Sequence, residues 1–131
     1  MSQDDLETVR QIYRAWAGGI DSPEPLKLFH PDVEYVNPEG AVEPGTRLGH
    51  DGMRQVGRSL ATAFSEMSWE VHDLIPSGDK VFALTTFKAR GRDSGALVEI
   101  PEQHVWTLRE GKVARFGWFH DEPKARKDAG L

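Results

Sequence analysis

The chain has 131 residues, a net charge of −5 and no cysteine. That length suits one domain with its own core, and the absence of thiols excludes disulfides, thiolate nucleophiles and cysteine zinc sites. The acidic balance argues against nucleic acid, because the one basic cluster, Lys124, Arg126 and Lys127, is diluted by Glu122 and Asp128.

With 38% hydrophobic and 28% charged residues the composition is that of an ordinary globular domain. No apolar run approaches the ~20 residues of a membrane span. The acidic start, Met1 to Asp5, lacks the apolar stretch of a signal peptide. A chain without cysteine fits a reducing cytoplasm. The expectation is a single cytoplasmic domain over residues 1–131 with no membrane or nucleic-acid partner.

Ser2 is placed to cap a first helix, with Asp5 three positions later. Leu6, Val9, Tyr13, Trp16 and Ile20 then recur at helical spacing, and Gly18-Gly19 supplies a stop. A second, short helix follows, with Ser22 as cap, Pro23 at its first position and Pro31 as its end. Val33 to Val36 reads as a short strand closed by Asn37-Pro38, and Glu39 to Gly49 as a loop. A third helix starts near His50-Asp51 and carries a stripe of Met53, Val56, Leu60, Phe64 and Met67.

From Trp69 the period changes to two, which predicts strands at about 69–76, 80–90, 97–109 and 112–120. The short turns between them, Ser77-Gly78-Asp79, Arg92 to Gly95 and Glu110-Gly111, imply an antiparallel meander. Pro101 lacks an N–H and marks a bulge or an unpaired edge position in the third of these strands. The fold class is α+β: three N-terminal helices packed into a curved, mainly antiparallel sheet, a cone-shaped α+β barrel. Helices and sheet do not fill the wide end of such a cone, which predicts a cavity.

Four segments carry a family likeness: Phe29-His30-Pro31-Asp32-Val33-Glu34-Tyr35, Gly49-His50-Asp51-Gly52-Met53, His104 to Val113, and Trp118-Phe119-His120-Asp121 with the tail Ala125 to Leu131. In this order they resemble the SnoaL-like branch of the nuclear transport factor 2-like superfamily over nearly the whole chain. The resemblance implies the cone fold. It does not fix an activity, because the fold hosts isomerases, cyclases, hydrolases, dehydratases and binding modules.

Set beside ketosteroid isomerase, a member of that superfamily, Tyr13 matches the helix-1 tyrosine, Asn37-Pro38 stands where that family has its aspartate base, and Gln103-His104 stands at its protonated aspartic acid. An asparagine amide takes no proton at neutral pH, so the isomerase base is missing. The resemblance leaves Tyr13 and Gln103 as hydrogen-bond donors suited to a carbonyl or oxyanion. Tyr35 to Pro38 also looks like the water-holding tyrosine and asparagine of limonene epoxide hydrolase. Its charged partners are absent, since Thr85-Thr86-Phe87 and Trp118 occupy their places. SnoaL-like polyketide cyclases rely on acid/base groups near the last two strands, where this sequence offers His104, His120 and Asp121.

His120 alternates with Phe116 and Trp118, so all three share one strand face. It is either a pocket acid/base or a strand-end histidine bonded to Asp121 or to solvent. Trp16, Phe116 and Trp118 serve equally as a stacking surface for a ligand or as core. With Gln103, Val105 and Thr107 turned inward, His104, Trp106 and Leu108 form an outer apolar patch and a route to a two-fold dimer through the sheet. His50-Asp51 reads as a cap for the third helix, and His30 as a helix-end residue.

The candidate catalytic residues are thus Tyr13, His120 and Asp121, with Trp16, Tyr35, Asn37, Gln103, Phe116 and Trp118 lining a pocket. Five histidines without a His-x-His or His-x₃-His pair argue against a metal, and no cofactor is implied. The functional expectation is a pocket for a small apolar carbonyl or cyclic compound, worked by an isomerase, cyclase or lyase through acid/base chemistry. A non-catalytic ligand- or partner-binding module is the alternative, and an epoxide hydrolase the weaker one.

Overall fold

The computed structural model describes residues 3–20 and 22–131, so the expected cap at Ser2 lies outside the described residues. Its elements are α1 (Gln3–Ala17), a 3-10 turn (Glu24–Leu28), β1 (Phe29–Asn37), β2 (Gly45–Leu48), α2 (Gly49–Ala63), β3 (Phe64–Ser77), β4 (Lys80–Gly91), β5 (Leu97–Arg109), β6 (Lys112–Phe119) and α3 (Glu122–Asp128). The strands form one sheet in the order β2-β1-β6-β5-β4-β3. All neighbours run antiparallel except β1 and β6, which are parallel.

The α1 stripe buries Val9, Ile12, Tyr13 and Trp16, while Asp4 and Asp5 occupy its first turn and Arg14 its last, each favoured there by the helix dipole. Glu110 and Gly111 both take left-handed backbone (φ 53° and 78°), the two-residue hairpin turn that matches the twist of β5 and β6. Gly49 links β2 to α2 at φ 69°, and a Cβ there would meet the Pro31 carbonyl oxygen at 3.0 Å.

Several boundaries differ from the sequence reading. Pro31 does not end a helix: β1 begins at Phe29, and its register against β6 shifts between Phe29 and Glu34, an irregularity that accommodates a residue with no N–H to donate. Part of the expected loop 39–49 is β2, which pairs with β1. The third helix stops at Ala63, and Phe64 and Met67 belong to β3, paired with Gly91 and Ala89. His50 does not cap α2; its Nε2–H donates to the Phe29 carbonyl at 3.0 Å. His30 lies in β1 and not at a helix end. Pro101 pairs with Thr86, and β6 reaches only as far as Gln103, so Pro101 sits where β5 has one neighbour.

The sheet is covered on both sides. α1 and α2 pack on the inner face around a core of Tyr13, Trp16, Phe29, Val33, Tyr35, Trp106, Leu108 and Phe116. On the outer face α3, which the sequence reading missed, packs Ala125 and Ala129 against Phe82 and Val105. Asp121 caps α3 through the Lys124 N–H, and the Arg126 guanidinium lies over the Phe82 ring, 5.0 Å from its centroid.

This second layer reverses the expected faces of β5. His104, Trp106 and Leu108 point to the helices and are buried, while Gln103 shares the α3 side with its register partners Leu84 and Phe119. The apolar outer patch proposed for a dimer is therefore interior. Further along, the outer face of β3 and β4 carries the ion pairs Glu70–Lys88 and Glu66–Arg90.

Candidate functional site

Strand alternation places Glu102, His104 and Trp106 of β5 on the inner face, opposite α1. They join side chains from α1, β3 and the end of β6 in one hydrogen-bonded network. Glu102 is its centre. Its Oε1 accepts from the Trp69 indole N–H at 2.9 Å and from His104 Nε2 at 2.7 Å, and its Oε2 accepts from His120 Nε2 at 3.1 Å. Burial pushes the Glu102 carboxyl up. The hydrogen bonds from His104 and His120, together with that of the Trp69 N–H, outweigh it and hold the group at about 2.

An ionised carboxylate only accepts, so both histidines present an Nε2–H to it. At its other nitrogen His104 lies 2.5 Å from the Tyr13 hydroxyl. The Tyr13 oxygen already accepts from Trp106 Nε1 at 3.0 Å, so its own proton points to His104 Nδ1. Burial raises the Tyr13 hydroxyl well above its usual range, against the Trp106 hydrogen bond, and the Glu102 charge adds to the rise. Tyr35 is raised in the same way by burial and by Glu102. Both phenols are held protonated beside a fixed anion.

The network runs from interior to surface. The His104 side chain is fully buried and that of Glu102 is 10% exposed, whereas that of His120 is 44% exposed. With its Nε2–H fixed on Glu102, His120 keeps the Nδ1 lone pair for an outside proton. Its ring lies 5.2 Å from Trp118, whose indole N–H donates to Asn37 Oδ1 at 2.7 Å. A carboxylate behind an imidazole fixes its tautomer and stabilises the imidazolium formed on proton transfer.

The sequence-derived candidates divide. Tyr13 and His120 belong to the network, Trp118 and Asn37 border its surface end, and Trp16, Tyr35 and Phe116 pack behind it, with Trp16–Phe116 and Tyr35–Phe116 ring centroids 5.7 and 5.1 Å apart. Gln103 lies on the opposite face, buried, and its Oε1 has no partner among the described residues. Tyr13 and Gln103 thus do not form the expected donor pair. Asp121 lies apart as the α3 cap, so Asp121→Ala is expected to lower stability by about 1 kcal/mol in urea unfolding, the cost of a lost N-cap. Thr85 faces inward and donates its hydroxyl to the Glu102 backbone carbonyl at 2.6 Å, a neutral group where the epoxide hydrolase resemblance calls for a charged one.

Sequence reasoning missed Glu102 and Trp69. The signal for Glu102 was its spacing of two from His104, which sets both on one strand face. Choosing Gln103 as the inward residue turned that pair away from the site. Among the described residues no group of three or more His, Asp or Glu side chains is arranged to hold a metal ion, and no helix is long and apolar enough to cross a membrane.

Residues 9–116 match the family model of the SnoaL-like domain. The chain belongs to the SnoaL-like domain family. Similar solved structures agree with that assignment. TerC, co-crystallised with polyporic acid, is 26% identical with a TM-score of 0.81 over 98% of this chain and 100% of its own. An NTF2-like protein of unknown function from Burkholderia pseudomallei is 25% identical, with a TM-score of 0.79 over 97% of each chain. A hypothetical protein with a ketosteroid isomerase-like fold from Catenulispora acidiphila, in complex with trimethylamine, shares the fold at 16% identity, with a TM-score of 0.77 over 95% of this chain and 93% of that one. A comparison with curated proteins finds no match. The SnoaL-like family and its nuclear transport factor 2-like cone are those expected from the sequence, and the fold is one on which small-molecule pockets are built.

Proposed function

We propose that this SnoaL-like protein is a cofactor-independent acid/base enzyme, an isomerase, cyclase or lyase acting on a small apolar carbonyl or cyclic compound, with His120 as the proton-transferring group. The observation that carries the reading is Glu102: a buried carboxylate held ionised, with one oxygen on a half-exposed imidazole. That carboxylate fixes the His120 tautomer and would stabilise an imidazolium formed there, the arrangement a proton-transferring imidazole needs. His104 and Tyr13 act behind it as positioning residues that fix Glu102. TerC, co-crystallised with polyporic acid, makes that compound the first ligand to try.

The second reading, a binding module, is favoured by Asn37. A neutral amide, already committed to Trp118, stands at the place of the isomerase base. Exchange of α-protons for deuterium, followed by NMR over a panel of cyclic ketones in D₂O, separates the two. Wild type is expected to accelerate exchange of at least one ketone above buffer. His120→Gln is expected to lower that rate about 10²- to 10⁴-fold, the usual worth of general-base catalysis. Saturable polyporic acid binding with no exchange of any ketone would favour the binding module instead.

A further inference from the structure

A cavity lies away from the Glu102 and His120 end of the network. It measures about 200 Å³ and opens between the end of α1, the 3-10 turn and α2, with Trp16, Leu26, Phe29 and Met53 in its walls and Arg54 and Arg58 at its edge. Phe29 begins β1 and Asn37 ends it, so the cavity and the His120 end of the network lie toward opposite ends of that strand. Trp16 divides them: it lines the cavity and packs against Trp69, the ring that donates to Glu102, with centroids 5.3 Å apart.

We infer that this cavity is a separate binding site for a small aromatic carboxylate. The walls select an apolar body. A cavity of about 150 Å³ is enough for benzene, so about 200 Å³ takes one ring with a short side arm. The edge selects the charge. Arg54 and Arg58 are four residues apart on α2 and so lie one turn above each other on the same side. Arg54 is held by Asp51 at 2.7 Å, whereas no carboxylate engages Arg58 among the described residues. A guanidinium at the mouth of an apolar slot pairs with a carboxylate through two parallel N–H···O bonds and repels a cation of the same shape. The Arg58 side chain lines the cavity and is exposed, which places a charge where an anion at the mouth would sit while the ring lies inside.

Three probes of one shape test this on the full chain: phenylacetate, phenylacetamide and phenethylamine, titrated by amide chemical-shift mapping. Phenylacetate is expected to saturate and to shift residues of the 3-10 turn and the first half of α2. Phenylacetamide should bind about tenfold more weakly, the usual gain from a hydrogen bond to a charged group, and phenethylamine more weakly still. Arg58→Gln, a surface change, should abolish the preference for phenylacetate over phenylacetamide. Leu26→Trp, which fills the cavity, should remove binding of both. His120→Gln should leave binding unchanged, whatever the outcome of the exchange assay. Equal affinity for the three probes, no saturation by phenylacetate, or an undiminished preference in Arg58→Gln overturns the proposal. So does loss of binding in His120→Gln, which would place the ligand at the network.

Discussion

Glu102→Gln is expected to lower the unfolding free energy by about 3 kcal/mol at pH 7, the lower end of the cost of breaking a buried charged pair. Each Glu102 oxygen faces N–H donors: Trp69 and His104 on one, His120 on the other. A glutamine amide replaces one of those oxygens with an NH₂ that points at a donor. Trp69 cannot adapt, because an indole only donates. The less costly orientation turns the NH₂ toward His120, which must then offer its Nε2 lone pair and carry its proton on Nδ1. Urea unfolding measures the stability loss, and the exchange assay should show activity falling with it, since the lone pair facing outward is gone.

The same carboxylate sets a pH dependence with a definite sign. Its value in the fold is about 2 against an ordinary 4.5, so the folded protein binds the Glu102 proton more weakly than the unfolded chain does. The stabilisation is complete above pH 4.5 and is lost as pH falls from there toward 2. From 4.5 to about 2 it amounts to about 3 kcal/mol at 1.36 kcal/mol for each tenfold change. Glu7 and Glu70, both at the surface, are lowered by Arg14 and Lys88 and act in the same direction. They are present in wild type and in Glu102→Gln alike, so the stability difference between the two proteins isolates Glu102. That difference should shrink across this window. A constant difference from pH 6 to 2.5 would mean that Glu102 is not ionised in the fold.

What the sequence made legible was local. The period of two from Trp69, and the turns at Gly78 and at Glu110-Gly111, located β4, β5 and β6 almost to the residue, because turn chemistry and alternation are properties of neighbouring residues. The end of α2 was not legible: Phe64 and Met67 continue a helical spacing, and only pairing with β4 makes them strand. Nor was α3, seven residues long with only Ala125 buried among them, although Asp121 and Pro123 are sound start signals. Missing α3 had a consequence at the site. β5 is buried on both faces from Glu102 to Trp106, so its apolar pattern no longer says which face meets the helices. A strand read one residue out of phase exchanges its faces completely, and Gln103 was put where Glu102 and His104 belong.

Trp106 is the position at which the two phases differ most in what they predict. Read as an outer residue of a sheet without α3, it could be cut to alanine with a change of about 0.5 kcal/mol or less, as at most surface sites. In the structure it is fully buried between α1 and the sheet, its ring 5.4 Å from Tyr13, 5.5 Å from Trp16 and 4.5 Å from Phe116. Trp106→Ala removes that packing and leaves a cavity, an expected loss of about 3–5 kcal/mol. It also takes the indole N–H from the Tyr13 oxygen, loosening the hydroxyl that fixes His104. Trp106→Phe separates the two effects: most of the ring packing stays, the donor goes, and the loss should be about 1 kcal/mol. Leu97→Ala, on the same strand but 74% exposed, is the control and should change stability by no more than about 0.5 kcal/mol. Urea unfolding of the three variants gives the order Trp106→Ala, Trp106→Phe, Leu97→Ala from most to least destabilised. If Trp106→Ala matched Leu97→Ala, the inward phase of β5 would be wrong, and Glu102 and His104 would leave the inner face along with it.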